Sequence, residues 1–290
     1  MNQIFSNELI NCYKLMPEGP EAAYITKFIK KEFVSKKLTH VNILKGRYIN
    51  HGPPEHYKEF VDALPLTVTN VEKQGKVIFI YFENTAETEK WCIISKLGMT
   101  GWWYSKEKPA WRSEFKSLTF EFQKGHELIY SDPRSYGTLT FTKDQELIKK
   151  EYEQIAPDIM AKSTTIKIFE NNAQLIMQKK PKMPIEELLS DQKLLVSGIG
   201  NYLKSEILYE SKIAPIREIT NISKAEWKLL YKNARKISTK MTKALAYKNI
   251  EVYESSMHVY MKKQDSLGHK VETYSNKNGR TVHWVPDVQK

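Results

Sequence analysis

The sequence predicts an α+β fold, with a β-rich first half, a helical second half and a short β tail. Three observations predict it. Between about residues 39 and 142, short β-branched and aromatic runs recur, broken by Gly, Pro, Asn and charged clusters; that spacing suits a sandwich or barrel. After Phe141 the pattern turns helical and Lys/Glu-rich to about residue 248. From 251 to 290 short strands return, with turns at Asp265-Ser266-Leu267-Gly268 and Asn276-Lys277-Asn278-Gly279.

Composition bounds the function. The 290 residues are 41% hydrophobic, enough to bury a core without disulfide or metal staples. The 45 Lys+Arg against 34 Asp+Glu give a formal charge of +11, which hints at a polyanionic partner but alone means solubility and nonspecific attraction. Two cysteines, Cys12 and Cys92, cannot build a disulfide framework or a Cys-based zinc site. No apolar run approaches the roughly 20 residues that span a bilayer, and the start lacks a secretory signal pattern. A soluble intracellular protein without membrane association is expected.

Taken in order, Met1 to Leu15 carry no turn signature and no strong periodicity, and they end at a second methionine, Met16. From Pro20 onward Ala23, Tyr24, Phe28, Val34 and Leu38 recur at roughly helical spacing, with Pro20 suited to a first turn. Strand runs follow, such as Val77-Ile78-Phe79-Ile80-Tyr81-Phe82, Trp91-Cys92-Ile93-Ile94 and Leu118-Thr119-Phe120-Glu121-Phe122. Helices begin at Asp144-Gln145-Glu146-Leu147-Ile148 and break at Pro157, Pro181, Pro184, Ser197-Gly198-Ile199-Gly200 and Pro215. Between Ser223 and Ile250 stand Lys224, Lys228, Lys232, Arg235, Lys236, Lys240, Lys243 and Lys248 against the single acid Glu226, a local 8 − 1 = +7. Their spacing puts most on one helical face, opposite Trp227, Leu230, Ala234, Ile237 and Met241. That face is either merely solvated or phosphate-attracting. The division is an extension at 1–15, a β domain at 16–143, a helical domain at 144–250 and a terminal hairpin at 251–290.

Six motifs carry chemistry. Met16-Pro17-Glu18-Gly19-Pro20-Glu21 reads as a helix start with acids at the positive end of the dipole. If Pro17 were the true N-terminus, its secondary amine would be partly unprotonated near neutrality. It could then attack a sugar's anomeric carbon, with Glu18 transferring protons. Gln74-Gly75-Lys76-Val77 places Lys76 at a tight turn entering a strand, as an ordinary hairpin lysine would also sit. Lys96-Leu97-Gly98-Met99-Thr100-Gly101 sets Met99 between glycines, either a core residue or a wedge for a base stack. Asp132-Pro133-Arg134-Ser135-Tyr136-Gly137 offers Arg134 to fill hydrogen bonds left by an extruded base and Tyr136 to stack. Ser197-Gly198-Ile199-Gly200-Asn201 joins two helices, either as a plain hairpin or as backbone N–H groups suited to a DNA phosphate. Arg280 lies beside a hairpin turn, a surface arginine or a phosphate ligand.

Together and in this order, the motifs resemble the formamidopyrimidine-DNA glycosylase/endonuclease VIII family of base-excision repair enzymes, from Met16 to the last residues. The resemblance implies a β-sandwich domain with flanking helices, a helical domain with a helix–two-turns–helix motif, and a hairpin finger. It assigns Pro17 as nucleophile, Glu18 as its acidic partner with Glu21 supporting, and Lys76 as the catalytic hairpin lysine. Met99, Arg134 and Tyr136 match the void-filling residues, Tyr136 standing for a usual Phe. Asn201 and Arg280 match the phosphate-binding asparagine and finger arginine.

Three departures accompany it. Fifteen residues precede Met16, so a free Pro17 amine requires translation from Met16 or removal of the extension. The family's Cys-x-x-Cys-Gly and Cys-Pro-x-Cys-Gln stretches read Gln264-Asp265-Ser266-Leu267-Gly268 and Val285-Pro286-Asp287-Val288-Gln289. The finger is therefore similar to zincless ones, with Trp284, Val285 and Val288 expected to pack in place of metal. The usual His before Leu-Gly-Met is Lys96. Gly19, the lysine-rich composition and the zincless tail look most like the endonuclease VIII branch and its giant-virus members.

The resemblance implies a glycosylase and abasic-site lyase acting by β,δ-elimination on oxidised pyrimidines and ring-opened or hydantoin purines. It implies no cofactor and no metal. Damaged double-stranded DNA is the implied partner, with single strands a further candidate, and the protein is expected to be monomeric. Its place would be the nucleus or, for a viral protein, a cytoplasmic replication site. Rival readings are a noncatalytic damaged-DNA-binding protein with Pro17 capped, and an 8-oxoguanine glycosylase.

Overall fold

A computed structural model describes residues 16–107 and 115–290; the extension at 1–15, including Cys12, lies outside the described residues. Two compact units are present, one holding the described residues to Pro17 with Glu21–Gln154, the other Glu18–Pro20 with Ile155–Lys290.

Helix α1 (Gly19–Phe33), which belongs to the first unit from Glu21 on, has Pro20 in its first turn, where the missing N–H has no intrahelical partner to lose. It buries Ala22, Ile25, Ile29 and Phe33. Eight strands follow: β1 (Lys37–Ile43), β2 (Leu66–Gln74), β3 (Val77–Glu83), β4 (Lys90–Lys96), β5 (Trp102–Ser105), β6 (Leu118–Phe122), β7 (Glu127–Ser131) and β8 (Thr138–Thr142). They form one antiparallel sheet in the order β5-β7-β6-β1-β2-β3-β4-β8. Phe120 of β6 stacks on Phe141 of β8 at 6.5 Å between ring centroids, although four strands separate them in the ladder. The sheet therefore folds over on itself as a sandwich. Short helices α2 (Arg47–Asn50) and α3 (Tyr57–Asp62) precede β2. From α3, Phe60 enters the core edge-on against Phe82, Trp91 and Phe141.

Helix α4 (Gln145–Glu153) starts where the Asp144 carboxylate accepts the Glu146 and Leu147 N–H groups, an N-cap. Its Ile148 packs with Phe79, Cys92 and Ile94. This helix belongs to the first unit, so the unit runs past residue 143, where the sequence turns helical. Lys96 pairs with Glu151 of α4 at 2.8 Å, which gives that lysine a structural partner.

The second unit carries α5 (Ile166–Lys179), α6 (Ile185–Ser190), α7 (Asn201–Glu210), α8 (Lys224–Ala246), α9 (Ile250–Glu254) and the hairpin β9 (Glu272–Ser275)–β10 (Thr281–Trp284). Helix α7 is buried on every side from Asn201 to Tyr209. Helix α8 opens on a capping box between Ser223 and Glu226, and Arg217 grips Glu226 through two hydrogen bonds at 2.6 and 3.1 Å. It buries Trp227, Leu230, Ala234, Ile237 and Met241, while Lys224, Lys228, Lys232, Lys236, Lys240 and Lys243 are exposed.

The finger is closed without sulfur ligands. Asp265 accepts N–H groups of Leu267 and His269, the His269 ring Nδ1 at 2.9 Å and the Tyr209 hydroxyl at 2.9 Å. Gln289 accepts the Val285 N–H and donates to the Ile213 carbonyl. Val285 and Val288 pack with Tyr209, Val259 and Val271. Trp284 is half-buried and stands outside that cluster, which corrects the expectation that it replaces metal; it lies on β10, ahead of the turn the cluster closes. Glu206 anchors the approach by accepting N–H groups of His258, Val259 and Tyr260. Burial pushes its carboxyl up to about 7, against those three donors. Among the described residues no group of three or more His, Cys, Asp or Glu could hold a metal, and a carboxylate engaged by four donors does not fit the thiolate chemistry of a zinc knuckle.

Candidate functional site

Glu18 and Gly19 of the hexamer meet the start of α7. Glu18 is 1% exposed. Its Oε2 accepts the N–H groups of Gly200 at 2.7 Å and Leu203 at 3.2 Å, and its Oε1 accepts that of Tyr202 at 3.0 Å. Three orphan donors of a helix N-terminus thus receive one internal carboxylate, charge against dipole. The sequence leaves this Gly-rich turn open between a plain hairpin and a set of N–H groups for a DNA phosphate; Glu18, 182 residues earlier in the Gly200 contact, takes these three. Pro17, also buried, precedes this fixed carboxylate directly.

Gly19 is required by the same packing. Its N–H donates to the Gly198 carbonyl at 2.8 Å, and a Cβ there would lie 2.8 Å from that oxygen. Two backbones touch where any side chain would intrude. Glu21, 4% exposed, lies in the first turn of α1.

Around Glu18 the second unit gathers further groups. The Asn201 amide donates to the Thr281 carbonyl at 2.9 Å, so the helix start is tied to the residue after Arg280. Asn201 is thereby tied to the strand residue that follows Arg280, with this amide N–H turned to protein. Tyr260 packs edge-on to Tyr202 and against His283. Burial lowers the His283 pKa, and the nearby Lys204 charge adds to the effect. Arg280 is exposed and forms no ion pair among the described residues.

In the first unit, Lys76 follows Gly75, which at φ 59 occupies the first position of the two-residue β2–β3 turn, where such hairpins take Gly. The loops bearing Met99, Arg134 and Tyr136 are clasped together. The Thr100 hydroxyl donates to Asp132, whose other oxygen accepts the Gly137 N–H at 2.6 Å, and the Arg134 N–H donates to Thr100 Oγ1 at 3.1 Å. A Cβ on Gly98 would lie 2.5 Å from the Tyr136 carbonyl carbon. The Arg134 guanidinium sits 5.2 Å from the centre of the Tyr136 ring, and both side chains are exposed, Tyr136 by 57%. The ring quadrupole attracts the cation held over it.

Sequence reasoning missed Asp132, Glu186, Lys204, Glu206, Asp265 and Gln289. The Asp132 position was visible in its motif, but only the partner loop, some thirty residues away, reveals what it holds.

The sequence profile of the formamidopyrimidine-DNA glycosylase N-terminal domain matches residues 16–139, and that of the formamidopyrimidine-DNA glycosylase H2TH domain matches 155–255. The chain is 28% identical over 296 residues to a formamidopyrimidine-DNA glycosylase of Listeria monocytogenes serovar 1/2a, covering 95% of this chain and all of the relative. It is 27% identical over 240 residues to the enzyme of that name from Mycoplasma mobile, 83% of this chain and 82% of the other. Among solved structures, the fold is similar to Lactococcus lactis Fpg in complex with abasic-site DNA, at a TM-score of 0.75 and 23% identity over 94% of this chain and 99% of that one.

Proposed function

Because the chain belongs to the formamidopyrimidine-DNA glycosylase family, we propose that it is a base-excision repair glycosylase and abasic-site lyase, with Pro17 as nucleophile. The observation that carries this reading is the Glu18 carboxylate, buried and fixed by three backbone N–H groups immediately after Pro17.

Met99, Arg134 and Tyr136 enter the gap as a damaged nucleotide leaves the stack. The Pro17 amine attacks the anomeric carbon, Glu18 assists proton transfer, and the base departs with the electrons of its glycosidic bond. Opening of the sugar ring, in which the nitrogen lone pair breaks the C1′–O4′ bond and the ring oxygen takes a proton, turns this adduct into an iminium, an electron sink for loss of successive sugar protons, so strand cleavage by β- and δ-elimination needs no cofactor. Lys76 orients phosphate, as do Asn201 and Arg280. The substrate class follows the endonuclease VIII branch, oxidised pyrimidines with ring-opened or hydantoin purines, supported by Gly19 and the thiolate-free finger.

Borohydride should trap a covalent adduct between protein beginning at Pro17 and abasic-site DNA. A preparation with a verified free Pro17 and no trapped adduct would overturn the lyase assignment. A second reading rests on the bond joining Met16 to Pro17 in this chain, since a capped Pro17 leaves a damaged-DNA-binding protein. Mass analysis of the native N-terminus separates the two. The names of the curated relatives favour an alternative lesion preference. Cleavage of thymine glycol against 8-oxoguanine oligonucleotides decides it.

A further inference from the structure

We infer that Lys204, Glu186 and Asn276 are positioning residues, a buried relay that sets the pose of the finger turn presenting Arg280. The inference rests on the reading that Arg280 contacts a DNA phosphate.

Lys204, on α7, is fully buried, and its ammonium donates to Glu186 Oε2 at 2.6 Å; Glu186, in the first turn of α6, is 2% exposed. Burying such a pair carries a desolvation penalty that the mutual attraction need not repay, and an apolar pair of similar volume is often as stable or more so. The pair is therefore poorly explained by stability alone. Burial lowers the Lys204 pKa, Glu186 opposes the shift, and the Arg280 charge adds to it.

What the pair holds is the β9–β10 turn. Both Glu186 oxygens face the Asn276 amide, at 3.2 and 3.3 Å. At its other end Asn276 Oδ1 accepts the N–H groups of Asn278 and Arg280, each at 3.0 Å. The Asn276 N–H also donates to the Arg280 carbonyl at 2.9 Å, and Gly279 takes the left-handed position at φ 70. An asparagine side chain that accepts N–H groups two and four residues on defines the turn, and Glu186 decides which way that side chain faces. Lys277 adds a second strap by pairing with Glu187. From the other side, the Asn201 amide holds the Thr281 carbonyl at 2.9 Å. The Arg280 backbone is bracketed while its guanidinium stays exposed.

The test measures binding of an abasic-site duplex by the full chain across a salt series, with melting temperatures recorded in parallel. Arg280→Ala should weaken binding about tenfold and lower the slope of log K against log salt by about one. Glu186→Leu with Lys204→Met removes both charges without leaving one unpaired, and should reproduce that loss. Added to Arg280→Ala, it should change affinity less than twofold, because residues acting through one another are non-additive. Asn276→Asp, which turns a carboxylate on Glu186, is the second variant and should lose affinity similarly if the double replacement fails to fold. Relay variants that bind as wild type, or whose losses add fully to that of Arg280→Ala, would overturn the relay alone. Wild-type affinity in Arg280→Ala would overturn the phosphate reading and the relay with it.

Discussion

Replacing Glu18 by Gln tests whether this carboxylate is a structural keystone of α7, apart from the catalytic role proposed for it. In the native protein two oxygens accept three backbone N–H groups, two on Oε2 and one on Oε1. Glutamine keeps the shape but offers one carbonyl oxygen. With that oxygen facing Gly200 and Leu203, its NH2 points at the Tyr202 N–H, leaving two donors opposed. One buried unsatisfied N–H costs about 1–3 kcal/mol, and loss of a negative charge at a helix N-terminus adds about 1 kcal/mol. The sum is roughly 2–4 kcal/mol. At about 2–4 °C per kcal/mol for a unit of this size, the melting transition of the second unit should fall by about 5–15 °C. Calorimetry at neutral pH measures it. A Glu18→Gln protein melting within about 2 °C of wild type would refute the reasoning, whatever became of its activity.

Three further outcomes are expected. The Arg217 hydrogen bonds beside Glu226 hold its carboxyl at about 2, against some opposition from burial; a depressed folded-state pKa contributes stability that is full above pH 4.5 and lost as pH falls towards 2. Solvent screening at this partly exposed pair limits the contribution to about 1–2 kcal/mol, and Glu226→Gln should flatten that limb of an acid denaturation curve. Replacing Lys228, Lys232, Lys236 and Lys240 by Gln should lower the salt slope for undamaged duplex binding by up to about 0.9 per phosphate contact removed, read by fluorescence anisotropy; an unchanged slope would make that helical face merely solvated. Gly98→Ala should cost at least 1–3 kcal/mol, since its φ is +60 and the new Cβ would meet the Tyr136 backbone at 2.5 Å; urea unfolding measures it, and a loss below about 0.5 kcal/mol would contradict the clasp.

The alternation of short apolar runs announced the strands, and the change of period after Phe141 announced the helices. Asn201 and Arg280 were each singled out because each sits beside a turn whose glycines mark it, but the hydrogen bond that ties Asn201 to the residue after Arg280 was not legible. Lys204 and Glu186 were not legible either, since a lysine and a glutamate in helical sequence read as surface residues until tertiary packing closes over them. The fate of the α7 N-terminus was hidden for a related reason. Its approach was visible in Gly198-Ile199-Gly200, but the acceptor that claims the Gly200, Tyr202 and Leu203 N–H groups comes from the other end of the chain. A hydrophobic replacement for zinc was half legible. Val285 and Val288 pack as expected, whereas the hydrogen bonds of Asp265 and Gln289 appear only when the turns are folded.

The closure of the finger by a carboxylate, an amide and valines bears on the conditions under which a repair enzyme must work. A thiolate-held ion ties folding to metal supply and to the oxidation state of sulfur. Peroxide that would strip such a centre finds nothing comparable among these groups, and metal starvation withholds nothing they need. A finger closed in this way has no thiolate to lose to oxidation.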